Sequence, residues 1–273
     1  GYKTYNDGSV YFVGYSVQDW QTIIECINDE NVGLSEGEEI STLVLTKETI
    51  GTREKIKVTQ ANNVVAINCY KNSKSYVQGK QTVLFQKIIS TAILFLGNKQ
   101  TVIETLNNYH ALTLTANEVE TKFEQMLPNY RHESQKHYAN LLSAIYNTML
   151  TGYMPDYTCL VTPIFRAYEY YLHRILGDIM GLDTETDKGA NNFSFFTKNA
   201  AGLYECNSRS RSALSARQLN YLNNLYTKYN SVRHPYSHWS ASDVDAAVIT
   251  SIDEARNLLN DGIILVNQYY ILF

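Results

Sequence analysis

The sequence predicts an α+β protein: a small antiparallel sheet with helices, followed by an all-helical half. Two observations carry this. Between residues 40 and 78 short runs alternate polar and apolar side chains, as half-exposed strands do. From about residue 99 that alternation stops, and apolar residues recur every three or four positions between Pro and Gly punctuation.

Residues 1–16 hold Tyr, Phe, Val and Gly in an extended pattern. Ser16 or Asp19 can then cap a helix through Trp20, Ile23, Ile24 and Ile27. Residues 31–37 read as a loop. Strands are predicted at 40–45, 55–59 and 64–70, with Ala61-Asn62-Asn63 as a hairpin turn and a last strand near 75–78. Gln78-Gly79-Lys80 reads as a strand-to-helix turn or, alternatively, as a ligand contact. Thr82 caps a helix from 83 to about 96, ended by Gly97-Asn98.

Helices follow at about 100–110, 117–126, 134–150, 157–180, 216–233 and 248–272, punctuated by Pro128, Gly152, Pro155 and Gly181. Thr115 with Glu118 has capping-box spacing. The boundary between the two units is placed at 112/113, giving 1–112 and 113–273. In the helix 157–180, Leu160, Ile164, Tyr168, Tyr171, Leu172, Ile175 and Ile179 form an apolar stripe. Glu169 and His173, four apart, share a face. If that face borders the stripe, Glu169 is partly buried and needs a cation, for which Arg233 is the candidate; the competing reading pairs Glu169 with His173.

With 273 residues, 44% hydrophobic and 18% charged, the chain can bury a real core. Its 22 tyrosines suit wet clefts and interfaces as well as cores. The formal net charge of −4 argues against holding nucleic acid by bulk charge, so any nucleic-acid chemistry needs a local basic surface. Cys26, Cys69, Cys159 and Cys206 form no Cys-x-x-Cys pair and read as reduced thiols of a cytoplasmic protein. The apolar runs 88–96 and 263–273 fall well short of the ~18 residues of a membrane span. The six histidines make no metal-ligand pattern, and no phosphate-cradling glycine motif occurs, so neither metal nor cofactor is expected.

The densest chemistry is Val232-Arg233-His234-Pro235-Tyr236-Ser237-His238-Trp239. A guanidinium grips two oxygens of one phosphate, and an imidazole moves a proton near neutral pH. Pro235 limits the helix that runs into it, which puts Arg233 near the helix end and His238 at or past the break. A cation closing a helix C-terminus is the plain alternative. The connection 183–216 is long and rich in Asn, Ser, Thr and Gly. Its arginines Arg209 and Arg211, with Arg217 just after, lie beside Phe193, Phe195, Phe196 and Tyr204. They can bind phosphates and stack on bases, form a mobile solvated loop, or order on a protein partner.

Arg, four residues, then His, late in a helical domain, resembles the signature of HEPN-type ribonucleases. Glu169 on an earlier helix, and the stretch Tyr76-Val77-Gln78-Gly79-Lys80-Gln81-Thr82-Val83-Leu84-Phe85, extend the likeness to the RnlA/LsoA toxins. This resemblance implies a sheet unit like one repeat of the TATA-binding protein, then an HEPN-like catalytic unit that also takes the antitoxin, Dmd-like or a cognate bacterial one. It implies a toxin that cleaves mRNA without metal: the ribose 2′-OH attacks the adjacent phosphate, leaving a 2′,3′-cyclic phosphate and a 5′-OH. Arg233 would grip the phosphate, His238 would move the proton, and Glu169 would orient one of them or act as a base. His234 stands where the family often has Asn or Asp, and with Tyr236 is an auxiliary candidate. One clearly placed catalytic imidazole per motif, His238, points to a homodimer. The family's further N-terminal domain has no obvious counterpart in the sequence. Two other classes remain in view: a non-catalytic helical interaction module, and a binding module in which residues 1–98 act.

Overall fold

The computed structural model describes residues 9–31, 43–60, 62–71, 73–80, 82–110, 112–151, 157–187, 189, 191–236, 249 and 251–273, with backbone alone at 9, 29–31, 83, 158, 159 and 233–236. The loop expected at 32–37, Ala61 of the expected turn, Gly152, Pro155 and His238 lie outside the described residues.

The first unit runs β1 (Ser9–Val13), α1 (Val17–Asn31), β2 (Val44–Ile50), β3 (Arg53–Gln60), β4 (Asn63–Tyr70), β5 (Lys74–Gly79), α2 (Val83–Leu94). The five strands form one antiparallel sheet in the order β1-β5-β4-β3-β2. Alternation decides its faces. Val10, Phe12, Ile56, Val58, Val65, Ile67 and Val77 are buried on one side, where α1 and α2 cover them. Ser16 caps α1: its Oγ receives the Asp19 N–H at 3.2 Å while Asp19 accepts the Ser16 N–H at 2.8 Å. Trp20 is fully buried and donates to Ser75 Oγ at 2.9 Å, pinning α1 to β5.

The second strand runs on to Ile50, past the end expected at 45; residues 40–42 of that expectation lie outside the described residues. Its exposed residues Thr46–Ile50 carry little apolar signal, and pairing with β3 through Gly51-Thr52 makes them a strand. Gly51 takes φ +61 at the first loop position, the left-handed region that short hairpin loops require.

The first unit closes with α3 (Lys99–His110), and the second runs α4 (Ala116–Met126), α5 (Gln135–Thr148), α6 (Thr158–Leu172), α7 (Ala216–Tyr236) and α8 (Ile252–Leu272). The Thr115–Glu118 capping box is formed in both directions. Helix α6 packs against α5, α7 and α8. Gly262 permits the α6–α8 approach: a Cβ there would lie 2.1 Å from Ile164 Cγ1. In the core, His137 Nε2 meets the Tyr171 hydroxyl at 2.7 Å, which meets the Tyr270 hydroxyl at 2.7 Å. The His137 ring also stacks on Tyr170 at 3.6 Å. Burial pushes the His137 imidazole down to about 3, so it is neutral.

Three expectations are corrected. The helix expected over 157–180 is α-helical only to Leu172 and continues as a π-helical segment, His173–Ile179. The wider turn shifts the phase of the stripe, and Ile179, expected inside, is 40% exposed. The connection 183–216 has structure of its own: a hairpin of β6 (Phe196–Lys198) and β7 (Tyr204–Cys206), then a 3-10 turn, Arg209–Ala213. Its local hydrogen bonds, which no hydrophobic period announces, make it an ordered cap on α7.

The units meet through α2, α3, α5 and α6. Arg166 on α6 donates to Thr91 Oγ1 on α2 at 2.8 Å. Asn107 on α3 accepts the Tyr146 hydroxyl of α5 at 2.6 Å, and His110 at the end of α3 stacks against Tyr146. Burial pushes the His110 imidazole down to about 3 as well.

Candidate functional site

Of the residues singled out for chemistry, Glu169 lies on α6, Arg217, Arg233, His234 and Tyr236 on α7, and Arg209 and Arg211 in the 3-10 turn before it. Glu169 is half-buried on α6. Its alternative partner is excluded by geometry: His173 Nδ1 lies 2.8 Å from Thr184 Oγ1 and its Nε2 lies 2.8 Å from Asn191 Oδ1. His173 therefore holds down the start of the 183–216 connection.

Arg233, His234 and Tyr236 lie in the last turn of α7, which ends at Tyr236, one residue after Pro235. Their side chains, and all of His238, lie outside the described residues. The framework beneath them is described. Phe165 of α6 stacks on Tyr229 of α7 at 5.2 Å, and Phe193 packs edge-on to Tyr229 at 5.5 Å and to His173 at 4.8 Å. Glu169 is four residues beyond Phe165 on α6 and so shares the face of that ring, while in the sequence Arg233 is four residues beyond Tyr229. Sequence reading did not single out Tyr229. The spacing of Leu222, Leu225, Tyr229 and Val232, all buried, was the signal available.

The connection's aromatic rings are not free to meet bases. Phe193 is buried, Phe196 stacks on Tyr226 at 3.8 Å, and Tyr204 packs edge-on to Tyr226 at 5.0 Å. Side chains of α7 hold the hairpin backbone: Asn223 accepts the Cys206 N–H at 2.8 Å and Thr227 the Tyr204 N–H at 3.0 Å. Arg211 donates to the Cys206 carbonyl at 3.1 Å, so it fastens the turn as well as carrying charge. Arg209 and Arg217 are exposed. Arg217 is in the first turn of α7, sixteen residues before Arg233, or about 24 Å along the helix. These arginines and the Arg233 turn thus mark opposite ends of α7 and do not share one phosphate pocket.

Among the described residues no group of three His, Cys, Asp or Glu side chains could hold a metal, and no helix is long and apolar enough to cross a membrane. Among the described residues Cys26, Cys69 and Cys206 are in no disulfide.

Fold and site thus define a two-unit α+β protein with an Arg-x4-His motif ending the penultimate helix of its helical half. Comparison with known proteins agrees. Residues 6–97 match the family model described as "RNase LS, bacterial toxin", and residues 115–240 match that described as "RNase LS, bacterial toxin DBD domain". Together the two matches span most of the chain, which belongs to the RNase LS family of bacterial toxins. Among solved structures it is similar to the Escherichia coli toxin LsoA, crystallised in complex with the T4 phage antitoxin Dmd. The identity is 17% and the TM-score 0.55, over 95% of this chain and 97% of that one. No curated protein sequence matches.

Proposed function

We propose that this toxin is a metal-independent endoribonuclease of HEPN type, with Arg233, His238 and Glu169 as one catalytic unit. The observation that supports it most is the packing of the motif-bearing helix on the helix of Glu169, through Phe165 on Tyr229. In this reading the ribose 2′-OH attacks the neighbouring phosphorus and the 5′-oxygen leaves. Arg233 holds the non-bridging oxygens as their charge grows. His238 transfers the proton, and Glu169 fixes the orientation of Arg233 or His238. His234 and Tyr236, on the same turn, assist in seating the RNA.

The units divide near 112/113, and the helical unit both cuts RNA and receives a protein antitoxin; the relative LsoA is the toxin partner in the complex with Dmd. Because each motif supplies one such imidazole, the active form is a homodimer that brings two motifs together. The setting is the bacterial cytoplasm during phage attack.

The test is RNA cleavage with EDTA present and end-group analysis of the products. A positioned acid or base is worth ~10²–10⁴-fold in rate, so His238→Ala and Arg233→Ala should each be nearly inactive. The double variant should be little worse than either. Arg233→Lys should also fail, since it loses the planar fork. Mixing Arg233→Ala with His238→Ala chains should restore part of the activity if the site is shared. A His238→Ala protein that cuts at the parent rate refutes the mechanism.

A further inference from the structure

Among the described residues, α1 and α2 cover one face of the first unit's sheet. The opposite face is read directly from the strand register. Glu48, Lys55, Asn68, Tyr76 and Tyr11 lie in one row across all five strands, each paired with the next. In the flanking rows, Arg53 pairs with Tyr70 and Lys57 with Ala66, while Lys74 pairs with Val13. Tyr11, Lys57, Tyr76 and Asn68, itself buried, each stand between two buried residues, and the register carries Glu48, Arg53, Lys55, Tyr70 and Lys74 onto the same side, away from α1 and α2. Among the described residues, no helix other than α3, which lies along β1, packs on that side or its β1 edge.

The composition of this face is unlike the rest of the protein. Tyr11, Tyr76 and Tyr70 form a contiguous aromatic patch, with ring centroids 5.0 Å and 6.0 Å apart. Beside it stand four cations, Arg53, Lys55, Lys57 and Lys74, against one carboxylate, Glu48. That is an excess of three positive charges on one face of a chain whose formal net charge is −4. Three of the cations stand in a line on β3, about 10 Å from Tyr76 on β5, two strand spacings away, with Tyr70 of β4 directly beside Arg53. Between them Asn68 donates to Gln78 at 3.0 Å, placing side-chain amides in the intervening rows. The Nε of Arg53, beside Tyr70, is shielded from solvent and has no hydrogen-bond partner.

We propose that this open face binds single-stranded RNA, its bases stacked on Tyr11, Tyr70 and Tyr76 and its phosphates held along β3 by Arg53, Lys55 and Lys57. The proposal rests on the reading above that RNA is the substrate, and gives the chain a surface that captures RNA apart from the helices that would cut it. The chemistry selects the occupant. Stacking on ring faces needs splayed bases, which a duplex does not offer. A line of cations along β3, starting beside Tyr70 at one end of an aromatic row that crosses β4, β5 and β1, suits a polyanion whose charges repeat along a chain. It also answers the objection from composition: an acidic protein holds RNA where its charge is locally reversed.

The experiment uses the whole chain and a fluorescein-labelled 2′-O-methyl oligoribonucleotide, which cannot be cut by 2′-OH attack, with binding read by fluorescence anisotropy. Tyr70→Ala and Tyr76→Ala should each weaken binding about tenfold, the scale of one lost base stack, while Tyr76→Phe, which keeps the ring, binds as the parent does. Lys55→Gln and Lys57→Gln should each lower the slope of log affinity against log salt by about 0.7. Towards cleavable RNA these variants should raise KM and leave kcat unchanged. Melting temperatures near the parent's confirm that folding is intact. A Tyr70→Ala/Tyr76→Ala chain that binds and cleaves at parent values overturns the proposal and leaves the cleavage chemistry standing. So does one that keeps RNA binding but loses a protein antitoxin, which assigns the face to that protein. A parent that binds the uncleavable RNA through this face yet cuts none supports the surface and refutes the chemistry.

Discussion

Acid should unfold this protein chiefly through two histidines that have no part in its chemistry. His110 closes α3 at the junction of the units, and His137 lies in the core of the helical unit. Burial pushes both imidazoles from 6.5 down to about 3. The folded protein thus stays unprotonated where the unfolded chain takes up protons, below pH 6.5. Stability is therefore fully present above that pH and is lost as the pH falls towards 3. Linkage puts the loss on going from pH 7 to pH 5 at about 2 kcal/mol for each histidine, about 4 kcal/mol for the pair. Glu118, held below the ordinary carboxylate range by Thr115, titrates lower and adds little in this window. The assay is urea unfolding at both pH values, for the parent and for His110→Phe/His137→Phe. Phenylalanine keeps the stack on Tyr170 and the contacts with Tyr109 and Tyr146. The Tyr171 hydroxyl keeps Tyr270 as its partner. The double variant should lose about 4 kcal/mol less than the parent between pH 7 and pH 5. Equal losses in the two proteins would mean that the imidazoles are hydrated and titrate normally, and the reasoning from burial would fail.

Two further outcomes are expected. Gly262→Ala drives a methyl into Ile164 and the Tyr168 hydroxyl at the α6–α8 crossing; overpacking of this kind costs about 1–3 kcal/mol, and an unchanged melting temperature would show that the helices can simply move apart. Arg209→Glu with Arg217→Glu reverses two exposed charges at the far end of α7 while sparing Arg211 and its bond to Cys206. Association with antitoxin at low salt should slow, and the effect should fade as salt is added; equal rates at low salt remove this end of the helical unit from the interface.

Much of the scaffold was legible because its signals are local. The caps Ser16, Thr82 and Thr115 each work through a neighbour three residues on, and all three form. The strand at 53–60 alternates from Ile56 onward, and that at 63–70 does so up to Asn68, which is buried between Ile67 and Cys69. What escaped is what depends on distant partners. Thr46–Ile50 form a strand because β3 lies alongside. The hairpin at 196–206 is held by Asn223 and Thr227 from another helix. The π-helical turn answers to packing that no linear period encodes. For the candidate site, residue types and order placed Glu169 and Arg233 on two helices that pack together. The helix predicted over 216–233 already set Arg217 and Arg233 at its opposite ends, and α7 starts where it was expected.

Helix α3 has two allegiances. Asn108 receives the Tyr11 N–H at the edge of the sheet, at 3.3 Å, while the adjacent Asn107 accepts from Tyr146 in the core of the other unit. Successive residues of one rigid helix thus answer to the two halves, and His110 is sealed between them. Severing the chain just after α3 would leave one fragment with a buried face open to water and the other with the unmet hydroxyl of Tyr146. Each such group costs on the order of 1–3 kcal/mol, so the halves would be expected to melt as a single cooperative body. A displacement of the sheet, such as a ligand on its open face would impose, would be transmitted through α3 to the helices rather than absorbed by a hinge.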